Sequence, residues 1–161
     1  PMALVVSSTL GVQERPVVAW NGSAFVVAWQ HGLVSARDLY ARRVFPTGFL
    51  DLTTQPLAVA VGDQVGPALA GDSALLVTWQ DSRGGTWDVR GALLLDGGVV
   101  PSPDFVISAA MGDQDMVTAT AAGSQYVVAW RDTRLGTADI FAARVSPSTV
   151  SAEKVSVPSG K

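Results

Sequence analysis

AFVVAWQ at residues 24–30, ALLVTWQ at 74–80 and QYVVAWR at 125–131 are one segment written three times, so that Trp29, Trp79 and Trp130 recur every 50 or 51 residues. Such a period marks a stacked array, because one small unit cannot bury its own apolar face and must lean on a neighbour. In the first copy one face carries the bulky residues Phe25, Val27 and Trp29 and the other the small residues Ala24, Val26 and Ala28, and the later copies follow suit. A strand with one solvated face would alternate apolar and polar residues. These strands are apolar on both sides, which predicts sheets packed face to face, the bulky face of one filling the shallow face of the next.

Working outward, each copy is preceded by Gly-x-Gln: Gly11-Val12-Gln13, Gly62-Asp63-Gln64 and Gly112-Asp113-Gln114. A first strand is then opened by Pro16, Pro67 or Val117, and a tight turn follows at Asn21-Gly22-Ser23, Gly71-Asp72-Ser73 or Ala122-Gly123-Ser124. Gly, Asn and Asp tolerate positive φ and close hairpins. Beyond the tryptophan, nine positions lead to Asp38, Asp88 or Asp139, which stands just before a third strand (39–45, 89–95, 140–145). Gly/Pro turns at 46–48, 96–98 and 146–148 lead to fourth strands at 57–61, 105–109 and 154–157. Residues 3–7 match the fourth strand and are expected to form an extra one. No window holds a 3.6-residue period, so no helix is expected. Residues 1–161 form one repeat domain with units at 13–61, 64–110 and 114–158.

The stretches TWQDSRGGTWDVRGALLLDGG (78–98) and AWRDTRLGTADIFAARV (129–145) resemble the TolB-type propeller repeat, a relative of the WD repeat, in which a Ser/Asp-x-Arg-x-Gly turn precedes Asp-Ile-Tyr/Phe. The resemblance covers about half of each unit. The first unit departs from it, with His31 and Leu33 where the others have Asp81/Asp132 and Arg83/Arg134. It implies an all-β fold of three four-stranded antiparallel blades of a β-propeller. Because closed propellers have ~4 to 8 blades, either a second chain completes six blades, the expected case and with it a homodimer, or the three units are part of a longer array. The alternative is a β-trefoil, also three four-stranded units, whose strands would keep one face outward.

Composition narrows the function classes. Net charge is −3, and nine arginines and two lysines are scattered singly except for Arg42-Arg43, so the basic stripe of a nucleic-acid binder is missing. Twelve aspartates against two glutamates indicate a chain rich in turns. There are no cysteines, which excludes a thiolate metal site and leaves the compartment open, a periplasmic or extracellular one being favoured. The apolar runs are too short to span a bilayer as helices. His31 is the single histidine, and neither a nucleophile elbow nor a phosphate loop occurs. The expectation is therefore a non-catalytic module without metal or cofactor, recognising a protein partner through its loops, with a glycan-binding lectin carrying one site per repeat as the alternative.

Asp81, Arg83 and Asp88, with their copies Asp132, Arg134 and Asp139, put two carboxylates near one guanidinium. A cation site would not seat an arginine between its ligands, so these are expected to bridge the hairpin loop structurally. The three recurring tryptophans are expected in the core. Trp20 and Trp87 do not recur at aligned positions. With His31 they are the candidate ligand-binding residues.

Overall fold

The computed structural model describes residues 3–95, 97–146 and 149–154. Thirteen strands and no helix occur among them. The first sheet is β1 (Gln13–Trp20), β2 (Phe25–His31), β3 (Asp38–Val44) and β4 (Gln55–Ala58), side by side in chain order. The second runs β5 (Gln64–Ala70), β6 (Leu75–Asp81), β7 (Asp88–Leu95) and the two-residue β8 (Val100–Pro101), with β9 (Phe105–Ser108) also paired to β7. The third is β10 (Gln114–Ala122), β11 (Gln125–Asp132), β12 (Asp139–Ser146) and β13 (Thr149–Lys154). Successive strands pair antiparallel, as short hairpin links require.

The sheets stack as the bulky-and-small pattern demands. Val26, Ala28, Leu39, Ala41, Leu57 and Ala58 of the first sheet share a core with Leu75, Val77 and Trp79 of the second. The second sheet's opposite face, with Ala70, Leu76, Val89 and Ile107, packs on Tyr126, Val128 and Trp130 of the third. The innermost strand of the second sheet, β5, lies between β1 and β10. Apolar residues on both faces therefore mean two covered faces only for β6, where Leu75 to Trp79 are all buried. The first sheet leaves its bulky side open at Phe25 (43% exposed), and the third leaves its small side open at Val127 (41%).

Three sequence expectations change. Residues 3–7 form no strand: β4 already occupies the outer edge of β3, so they have no ladder to join. They run across the open side of the first sheet instead, where Arg42 Nη1 donates to the Val6 carbonyl at 2.8 Å. The fourth strand of the first repeat is β4 rather than 57–61, because the backbone N–H of Ala60 turns to the Gln64 and Asp38 side chains and leaves the ladder. The β-trefoil alternative is replaced by three separate stacked sheets. The fourth strand expected at 154–157 extends past the described residues, and Asp96, Pro147 and Ser148 of two expected turns also lie outside them.

Candidate functional site

The inner strands all begin the same way. Gln64 is buried at the head of β5, its Oε1 accepting the Ala60 N–H at 3.0 Å and its Nε2 donating to the Val61 carbonyl at 3.3 Å. Gln114 closes the equivalent turn onto Ala110 and Gly112, and Gln13 donates to the Thr9 carbonyl at 3.0 Å. The recurrent glutamine is thus a turn clamp.

Just past it each strand bulges, with register shifts at Glu14/Val17, Val65/Ala68 and Asp115/Thr118. Arg15 (φ 51°), Gly66 (φ 61°) and Met116 (φ 53°) take the left-handed conformation there. A left-handed non-glycine residue costs about 1–3 kcal/mol, and such strain gathers where a bulge aims a side chain. The aimed residues are Glu14, Val65 and Asp115, opposite Gln30, Gln80 and Arg131. Glu14 accepts from Gln30 Nε2 at 3.0 Å, and Gln30, only 1% exposed, accepts the Gly66 N–H of the next sheet at 3.0 Å. Asp115 is paired with Arg131 through both its oxygens. Glu14 also lines a groove of about 350 Å³ beneath residues 3–7, together with Val5, Ser7, Pro16, Val27 and Trp29. Two carboxylates thus stand at equivalent positions on the inner strands of the outer two sheets.

A second constellation lies around the repeated tryptophans. In the second sheet Trp79 Nε1 donates to Asp81 at 2.9 Å, and Arg83 pairs with Asp81 at 2.7 Å and Asp104 at 2.9 Å, while Arg90 pairs with Asp104 at 3.0 Å. The carboxylate that completes the bridge is Asp104. Asp88, expected there, instead faces Asp81 across the β6–β7 ladder, and burial first, then the Asp81 charge, pushes its carboxyl above the ordinary range. In the third sheet Trp130 donates to Asp132 at 2.9 Å, and Arg134 pairs with Asp132, bonds the Ser108 hydroxyl at 2.9 Å and lies over the Phe141 ring at 4.4 Å. Burial opposes ionisation of Asp132, but the Arg134 and Trp130 hydrogen bonds prevail and its carboxyl is held below the usual range. Asp139 again stands outside the bridge, with Thr137 as its hydroxyl neighbour at 3.4 Å.

Successive sheets are also clasped to one another. Asp63 receives Arg37 through its backbone N–H (3.0 Å), Nε (3.1 Å) and Nη2 (2.8 Å), and these bonds lower its carboxyl to about 2. Asp113 takes the Trp87 N–H at 3.1 Å in the same manner. Trp87 therefore marks a clasp through its backbone. Trp20 sits at the opposite end of its sheet from His31, 40% exposed and against Phe25 with ring centroids 4.9 Å apart. The three candidate ligand residues Trp20, Trp87 and His31 are not brought together. Among the described residues no group of three His, Cys, Asp or Glu side chains converges as a metal site, and no helix is long and apolar enough to cross a membrane.

No protein-family model and no curated protein matches the chain. Among solved structures it is similar to a thermostable family-43 glycoside hydrolase (TM-score 0.66, 7% identity, covering 94% of this chain and 60% of that one). It is also similar to a native arabinanase of Bacillus subtilis (TM-score 0.59, 12% identity, 92% and 55%) and to a family-43 endo-arabinanase of Bacillus licheniformis (TM-score 0.56, 13% identity, 83% and 51%). The fold is propeller-like. The chain spans between half and three-fifths of those structures, which are five-bladed propellers and not TolB-type or WD repeats. The same finding corrects the expectation of a non-catalytic module with a lectin as alternative, since all three neighbours bear the names of carbohydrate-cleaving enzymes. That expectation leaned on the absence of a compact motif. The one signal for Glu14 and Asp115 was the residue after each Gly-x-Gln, acidic in two copies of three.

Proposed function

We propose that this chain forms part of a carbohydrate-cleaving propeller in which Glu14 and Asp115 supply the paired carboxylates. The likeness of fold to three glycoside hydrolases over most of the chain carries the reading. The placement of both acids on inner strands beside strained bulges supports it. Glycoside cleavage takes one carboxyl that protonates the leaving oxygen and a second that activates water or attacks the sugar, about 5–9.5 Å apart according to stereochemistry. Glu14, whose hydrogen-bond partner is a neutral amide, is the proton donor of the pair. Asp115, clamped in position by Arg131, is the acceptor. Arabinose-containing polymers are the substrate class to test first, given the arabinanases among the neighbours.

In this reading a second copy of the chain completes the ring, its small face covering Phe25 and Val27 and its bulky face covering Val127. Release of reducing sugar from arabinan by the intact chain is the direct test. Glu14→Gln and Asp115→Asn should each lower turnover by roughly 10²-fold or more, the usual share of general acid–base catalysis, with unchanged circular dichroism. Full activity in both variants, or no release by the parent at any pH, would overturn the reading.

A further inference from the structure

His31 breaks the repeat, and the consequence is a cavity. It is about 130 Å³ in volume and is lined by Thr9, Trp29, His31, Tyr40 and Thr54. Fifty residues later the corresponding side chains are Trp79, Asp81, Arg90 and Asp104, with Arg83 in place of Leu33, and they fill the same part of the second sheet with an ion network. In the third sheet Arg134 does the filling over Phe141. The first sheet has exchanged the carboxylates and guanidinium groups of that network for His31, Leu33, Tyr40 and Thr54, and Leu33 points to solvent.

What remains is chemically uniform. Two aromatic rings, Trp29 and Tyr40, form walls, and the His31 ring meets Tyr40 edge-on with centroids 5.7 Å apart. The Thr9 and Thr54 hydroxyls can donate or accept. His31 Nδ1 is buried and has no hydrogen-bond partner within the chain, an uncompensated polar atom behind the cavity wall. No carboxylate, lysine or arginine is among the lining residues, so no permanently charged side chain is there to match an ionic ligand. Aromatic walls with a few convergent hydroxyl-bonding groups fit a neutral polyhydroxylated ring. Gly11 makes room for the imidazole, because a Cβ there would lie 2.8 Å from His31 Cε1.

We propose that this cavity is a binding subsite for one neutral sugar unit, present in the first sheet alone. It rests on the carbohydrate part of the reading above and not on catalysis.

The test is titration of the intact chain with L-arabinose, D-xylose, D-galactose and D-glucose, following the His31 and Trp29 ring resonances by NMR. At least one sugar should shift both sets saturably. Rebuilding the sister network with His31→Asp, Leu33→Arg and Thr54→Asp together should weaken binding at least tenfold. Thr54→Val, which removes one hydroxyl at nearly constant volume, should weaken it severalfold and decides the matter if the triple variant does not fold. Unchanged affinity in these variants, or no saturable shift with any of the four sugars, would overturn the proposal. A chain that binds sugar here without cleaving arabinan retains this subsite and loses the catalytic reading.

Discussion

Asp63 shows how much one side chain can add to a stack of sheets. Its carboxylate lies at the head of the second sheet but bonds Arg37 of the first, and those bonds move it from its ordinary 3.8 to about 2. A carboxylate with a depressed folded value contributes stability that is present above the unfolded value and lost as pH falls through the folded one. The window is therefore pH 4 down to 2, and the shift corresponds to about 2 kcal/mol. Urea unfolding of Asp63→Asn against the parent should show a gap of about that size at pH 5 that closes towards pH 2. A gap constant across the range would mean that Asp63 acts by packing instead. Asp38 and Asp88, raised chiefly by burial, have the opposite sign, but they and the other carboxylates are common to both proteins, so the difference between the two isolates Asp63. The sequence made Asp63 visible as part of Gly-Asp-Gln, but not its partner, because Arg37 is 26 residues away and no spacing rule links a turn to the loop of the preceding sheet.

At the scale of the element, strand type and order were legible because period-two patterning and turn residues are local, while strand ends were not. Ladders stop where side chains capture backbone groups, as at Ala60, and such captures depend on tertiary placement. The bulges at the heads of β1, β5 and β10 were likewise hidden, since Arg15 and Met116 do not advertise a left-handed backbone as Gly66 does. This asymmetry is testable. Met116→Gly should raise stability by roughly 0.5–1 kcal/mol by relieving strain. Gly66→Ala should lower it by about 1 kcal/mol through backbone strain, since the Gln80 amide that a Cβ would meet is the end of a flexible side chain and can swing aside. Thermal unfolding of the two variants reads both. If the bulge aims Asp115, Met116→Gly should also lower sugar release while it stabilises the fold.

For the whole molecule, three near-identical segments cannot announce which of them lies at an end. AFVVAWQ and ALLVTWQ carry the same two-sided apolar pattern, yet only the second is covered on both sides within the chain. The interior joins both obey one rule, bulky face on small face. The two outward faces are the two halves of that same rule, Phe25 with Val27, partly lined by residues 3–7, at one end and Val127 with Ala129 at the other. Leaving apolar strand faces of this kind in water is unfavourable by roughly 25 cal/mol for each Å², so a second copy set head to tail gains the contact already formed twice inside each chain. Analytical ultracentrifugation at tens of micromolar should accordingly give twice the chain mass of 16.7 kDa. Phe25→Asp and Val127→Asp, at opposite ends, should each shift the protein towards the single-chain mass without unfolding it, since neither side chain belongs to an internal core. A parent protein sedimenting at 16.7 kDa would show that the exposed faces do not recognise each other.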